Sequence, residues 1–124
     1  MDARPETVRW LERYYELLDG GRVREAAAEF LDPACTFRIA NATPVGFMDA
    51  ARALAPLVTG TRHRITSVLE SDDGTIACEL EITYTRHDGS SVTLPGALFA
   101  HVRDGRFIEQ RAYTDQEPLR ERAS

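Results

Sequence analysis

From Thr75 to Asp115 the chain runs TIACELEITYTRHDGSSVTLPGALFAHVRDGRFIEQRAYTD, and few folds can accommodate such a stretch. Ile76, Cys78, Leu80, Ile82 and Tyr84 alternate with Glu79, Glu81, Thr83 and Thr85. A period of two over this length marks a strand with one buried and one wetter face. His87-Asp88-Gly89-Ser90 supplies a hairpin, because Asp-Gly tolerates the positive φ values of a tight turn. Arg103-Asp104-Gly105-Arg106 repeats that chemistry between a second strand, about Ser91 to Val102, and a third, Phe107 to Asp115. A meander of this kind needs cover for its apolar face, so the first half of the chain is expected to supply helices. The fold class read here is α+β.

The preceding residues fit that requirement. Pro5 to Leu18 reads as a helix, with Pro5 in its first turn and Gly20-Gly21 ending it. Its apolar residues form two stripes, Val8/Leu11/Tyr15/Leu18 and Trp10/Tyr14/Leu17, which suits packing on two sides. A short helix over Val23 to Phe30 stops at Asp32-Pro33. Ala34 to Gly46 reads as a strand entering a Pro/Gly loop, Phe47 to Val58 as a third helix bent by Pro56, and Thr61 to Glu70 as a strand. The expected order is helix-helix-strand-helix followed by four strands.

A length of 124 residues suits one domain, here taken as residues 1–124. The net charge of −5 argues against a nucleic-acid partner. Every Lys/Arg position is an arginine, so lysine Schiff-base chemistry is excluded. Cys35 and Cys78 stand in apolar strand-like settings that suit reduced thiols. With no leader-like segment and no run of 18 apolar residues, the expectation is a cytoplasmic protein that does not engage a membrane. The histidines are scattered and show no HxH or HxxxH, and neither a phosphate-binding glycine loop nor a G-x-S-x-G elbow occurs. Neither a metal nor another cofactor is expected.

The element order, with LLDGGRVREAAAEFLDPACTF, RHRI and HVRDGRFIEQRAYTD where they stand, resembles the SnoaL-like and ketosteroid-isomerase-like families of the nuclear transport factor 2-like superfamily. The resemblance implies a curved sheet folded as a cone around three helices, with an apolar cavity at its open end. It also implies a family of varied activities, among them polyketide cyclases, isomerases and dehydratases, so the fold does not give the reaction. In ketosteroid isomerases a tyrosine donates to the developing oxyanion beside a protonated aspartic acid, while a second aspartate is the base. By its offset from Gly21, Tyr14 matches that tyrosine. The base position falls on Arg38 and the second acid near Leu98. The acid of SnoaL-like cyclases falls on Ala112.

The candidates for chemistry are therefore Tyr14, Arg38 and His63. Tyr14 is either an oxyanion donor or a core tyrosine with a local partner. Arg38, which the alternation around Phe37 and Ile39 and the family register both point into the cavity, either meets a ligand oxygen, pairs with a rim carboxylate, or is turned outward by a bulge. His63, in TRHRI, resembles a histidine that scytalone dehydratases use from a similar strand, and a positioned imidazole can take and return a proton near neutrality. Trp10, Leu80, Ile82, Tyr84, Leu98, Gln110 and Ala112 are expected to line the cavity. Asn41 either contacts ligand or serves its turn, and Asp115 either lines the mouth or pins the C-terminal end. The expected activity is cofactor-free proton transfer on a hydrophobic oxygenated molecule: isomerisation, cyclisation or dehydration. The alternative is a non-catalytic binding or dimerisation module. A homodimer is expected through the outer sheet face, where Phe99, His101, Arg111 and Tyr113 lie with Glu81 and Glu109.

Overall fold

The computed structural model describes residues 2–120. Their order is α1 (Pro5–Asp19), α2 (Val23–Phe30), β1 (Leu31–Ile39), β2 (Val45–Gly46), α3 (Phe47–Leu54), β3 (Val58–Glu70), β4 (Thr75–Arg86), β5 (Ser91–Arg103), β6 (Arg106–Tyr113) and α4 (Glu117–Arg120). The strands form one curved, unclosed sheet in the order β2-β1-β6-β5-β4-β3. Strand β1 runs parallel to β6, and every other pairing is antiparallel.

Helix α1 starts at Pro5, whose missing N–H is no loss in a first turn. It ends in a glycine-dependent motif: Arg22 N donates to Leu17 O at 2.8 Å and Gly21 N to Leu18 O at 3.1 Å. Gly21 takes φ +77°, the left-handed conformation this ending requires. At the β3–β4 turn, Gly74 is fixed more severely. Its φ is +89°, and a Cβ there would stand 2.3 Å from Val102 O.

The alternation in β4 is borne out. Ile76, Cys78, Leu80, Ile82 and Tyr84 are buried, while Glu79 is exposed. Cys78 pairs with Leu98 and Ile76 with Ala100, which extends the same apolar face across β5. The register of β5 and β6 shifts between His101 and Val102, where Ile108 has no partner. This bulge lets Phe107 and Gln110, three positions apart, both face inward.

Several boundaries differ from the sequence reading. Strand β1 begins at Leu31, so Asp32-Pro33 lies within it, at a register irregularity between Leu31 and Thr36. Helix α3 ends at Leu54 and Val58 already belongs to β3, because Pro56 cannot donate to a further helical turn. Strand β6 stops at Tyr113, two residues before Asp115. The short β2 and α4 have no counterpart in the expected order.

Candidate functional site

Tyr14 lies at the centre of the inner face, 1% exposed, among Phe30, Phe107, Tyr15 and Phe47. Its hydroxyl meets the side chain of Gln110, itself 2% exposed. Gln110 Nε2 donates to the Tyr14 hydroxyl at 3.1 Å, and the alternative bond, hydroxyl to Gln110 Oε1, is 3.4 Å. Two buried polar groups thus satisfy each other between helix and sheet. Burial pushes the Tyr14 phenol well above its ordinary value, against the opposing pull of the Gln110 bond. Trp10, partly buried, packs its ring against the core beside this pair, 4.7 Å from Phe107 and 5.2 Å from Phe30.

His63 is on the inner face of β3, paired with the buried Ile82. Asp19, the last residue of α1, holds it. Asp19 Oδ1 lies 2.6 Å from His63 Nδ1, Asp19 Oδ2 accepts His63 N at 2.7 Å, and Asp19 Oδ1 accepts Thr61 Oγ1 at 3.0 Å. The imidazole stacks on Tyr15 with ring centroids 4.3 Å apart. The two side chains are only 13% and 20% exposed. A carboxylate on Nδ1 fixes the tautomer and leaves Nε2 as the nitrogen that can take or deliver a proton. Asp19 is absent from the sequence reading. Its signal is a carboxylate just before Gly20-Gly21, facing the same-side pair Thr61 and His63 of the TRHRI strand.

Arg38 is not in this site, which corrects the sequence expectation. In the parallel register Phe37 pairs with Gln110 and Arg38 with Arg111. Phe37 therefore shares the inner face with Gln110 and lies edge-on to Phe47. Arg38 shares the outer face with Arg111 and reaches Tyr113, with Nη2 3.5 Å from its hydroxyl. Arg38 and His63 thus stand on opposite faces of the sheet. The apolar residues Phe37 and Ile39 take the core side, and the guanidinium avoids the cost of entering it. A mechanism that requires Tyr14, Arg38 and His63 to converge on one cavity does not fit this geometry.

The remaining candidates divide in the same way. Leu80, Ile82, Tyr84 and Leu98 are buried on the inner face and Ala112 is half-buried there beside Leu98, but they pack against one another. Asn41 is exposed in the turn after β1, where Ala40 takes φ +50°. Asp115 is exposed and its Oδ1 accepts Glu117 N at 3.0 Å, so it closes a turn just before α4 and does not line an interior. A groove of about 410 Å³ lies between α2, α3 and the start of β1. No cluster of three or more His, Cys, Asp or Glu placed for a metal occurs among the described residues. Nor is any described helix long and apolar enough to cross a membrane.

The sheet curvature and the helical cover agree with the comparisons. The SnoaL-like domain profile matches residues 11–110. The chain belongs to the SnoaL-like family. No curated protein sequence matches it. Among solved structures, it is similar to a candidate SnoaL-like polyketide cyclase from Jannaschia sp. CCS1, with TM-score 0.75, 19% identity and coverage of 96% of this chain and 94% of the other. It is also similar to a nuclear-transport-factor-2-like protein of unknown function from Burkholderia pseudomallei K96243, with TM-score 0.78, 14% identity and coverage of 94% and 95%. The candidate polyketide cyclase IdmH from Streptomyces antibioticus gives TM-score 0.73, 17% identity and coverage of 88% and 91%. At such identities the likeness is one of fold.

Proposed function

We propose that this SnoaL-like protein binds a hydrophobic, oxygenated small molecule against its inner sheet face and catalyses proton transfer on it. Isomerisation, cyclisation and dehydration all fit this description. The observation that carries the reading is the Asp19–His63 pair, an imidazole held by a carboxylate on the inner wall. His63 Nε2 takes a proton from carbon next to a ligand carbonyl, and the electron pair moves to the oxygen as an enolate. The imidazolium formed is stabilised by Asp19 and returns the proton at the product position. Tyr14 is the candidate donor to the enolate oxygen: with Gln110 donating at 3.1 Å, the phenolic proton is left for another acceptor. The polyketide cyclase names borne by similar structures agree with this class of chemistry.

A second reading, a non-catalytic binding module, is favoured by the packed inner face and by the missing family carboxylates at Arg38, Leu98 and Ala112. One experiment separates them. Deuterium exchange next to the carbonyl of 2-tetralone is followed by proton NMR, and binding of the same ketone is followed by calorimetry. Catalysed exchange that falls by a factor of about 10² to 10⁴ in His63→Gln, with binding retained, supports the enzyme. Binding without catalysed exchange in the native chain, or exchange equal in His63→Gln, refutes it.

The same proposal includes a homodimer through the outer face and a reducing, cytoplasmic setting. Phe99 and Tyr113, exposed at 38% and 40%, support the first. The buried, unpaired thiols of Cys35 and Cys78 fit the second.

A further inference from the structure

The chain does not simply stop after β6; it turns back over the inner face at the end of the sheet remote from the Phe107 cluster. Thr114 Oγ1 donates to Pro95 O at 2.9 Å, and the Thr114 side chain lies over Gly96, where a Cβ would meet it at 3.5 Å. Gln116 Nε2 then donates to the Tyr84 hydroxyl at 3.4 Å, and Arg86 Nη2 donates to Pro118 O at 2.7 Å. This brings Leu119, from the four-residue α4, into the core at 3% exposure. Tyr84 and Arg86 alternate onto the same inward side of β4, and each makes one hydrogen bond to this segment.

Arg86 is the unusual member. Its guanidinium bonds only neutral groups, Ser90 Oγ at 3.2 Å and Pro118 O, and its buried Nε has no partner. No carboxylate lies within ion-pair distance of it among the described residues. The nearby Asp88 carboxylate is engaged by Ser90 N at 2.9 Å and Ser90 Oγ at 2.6 Å. A cation at the edge of an apolar interior, satisfied only by a hydroxyl and by one backbone carbonyl of a short segment, is a poor permanent arrangement. A carboxylate or enolate oxygen is a stronger partner for it than a carbonyl.

We propose that Gln116–Leu119 occupies a ligand site, and that a ligand with an apolar body and an anionic oxygen displaces it. Leu119 stands in for the apolar body, Pro118 O for the anionic oxygen, and Arg86 with the Tyr84 hydroxyl recognises that oxygen. The inference rests on the reading of the inner face as a small-molecule site and adds the ligand's charge and the residues that read it. Because the segment competes with the ligand, weakening it raises the apparent affinity.

The probes are 2-naphthoate and its uncharged methyl ester, titrated calorimetrically into the full chain. Wild type is expected to prefer the acid about tenfold, as one charge-assisted hydrogen bond provides. Leu119→Ser is expected to bind both probes about tenfold more tightly, having lost the apolar contact that holds the segment in place. Arg86→Gln is expected to abolish the preference for the acid and to leave ester binding in place. Amide exchange gives a readout in the unaltered chain: Leu119 N, bonded to Gln116 O at 2.9 Å, exchanges faster when 2-naphthoate saturates. Binding with no change in Leu119 exchange and no gain in Leu119→Ser overturns this proposal alone. An unchanged acid preference in Arg86→Gln overturns the role of the arginine. Failure of both probes to bind all three chains overturns this proposal and the small-molecule reading together.

Discussion

At the residue scale, the Tyr14–Gln110 pair is the most exacting contact in the molecule, because neither group has water to fall back on. Tyr14→Phe leaves the Gln110 amide without its partner and is expected to cost about 1–3 kcal/mol of stability. Combining it with Gln110→Leu removes both polar groups and should recover part of that loss, giving a double-mutant cycle clearly different from additive in urea unfolding. The thiols make a second prediction at this scale. Burial, first among its causes, pushes Cys35 up to about 11 and Cys78 up to about 12. Both values lie above the ordinary thiol value of 9.0, so the folded state holds protons that the unfolded chain releases. The stability this provides is therefore complete below about pH 9 and is lost as pH rises through 11 and 12. Unfolding midpoints measured from pH 8 upward should decline across that window, more steeply than in a Cys35→Ala/Cys78→Ala variant. Equal slopes in the two proteins would remove the thiols from the explanation.

At the scale of elements, α1 is tied to β3 by a carboxylate at each end. Glu70 Oε1 accepts Arg4 N at 2.7 Å and Thr7 Oγ1 at 2.9 Å, while Asp19 takes Thr61 and His63 at the other end. Asp19→Ala is expected to destabilise by roughly 2–3 kcal/mol, since two of the donors it satisfies are half-buried. Asp19→Asn should cost less in stability and still lower the deuterium exchange of 2-tetralone by about 10²-fold or more, because an amide no longer stabilises the imidazolium. A variant that is destabilised yet exchanges at the native rate would make Asp19 a purely structural tie. These elements also show what could be read in the chain. The β4 alternation and the Asp-Gly turns are local and were legible in full. The direction of Arg38 is not: the alternation around Phe37 and Ile39 and the family register are both read as turning it inward, whereas those two apolar neighbours take the core side themselves. The Asp19–His63 pairing joins residues 44 apart, and the inward Phe107 depends on a bulge at Ile108. Neither leaves a periodic trace. Leu119 is a single apolar residue after a proline, and no pattern marks it as core.

At the scale of the whole molecule, the outer sheet face carries the last prediction. Phe99 and Tyr113 meet edge-on with centroids 5.7 Å apart, and the Arg111 guanidinium lies 5.8 Å from the Phe99 ring. Arg38 joins them through the Tyr113 hydroxyl. The buried Nε atoms of Arg38 and Arg111 lack aligned hydrogen bonds, although Glu109 Oε1 stands 3.1 Å from the latter. Aromatic and arginine groups at the centre, with Glu81 and Glu109 nearby, are the composition of a protein interface more than of a solvated surface. The charges of both signs allow the patch to be complementary to itself, as a two-fold dimer requires. An area of about 800 Å² per protomer is typical of a stable pair, and a six-stranded sheet face can provide it. Light scattering at micromolar concentration should therefore report twice the 13.9 kDa chain mass. Phe99→Glu, which places a carboxylate at the centre of the patch without touching the inner face, should scatter as a single chain and keep its native fold by circular dichroism. A native protein that is monomeric under those conditions, or a Phe99→Glu variant that remains dimeric, would show that this face is not where the copies meet. The corrected position of Arg38 gives the dimer a further consequence. If Arg38 serves the interface, then Arg38→Met should weaken the dimer and leave the deuterium exchange at His63 unchanged.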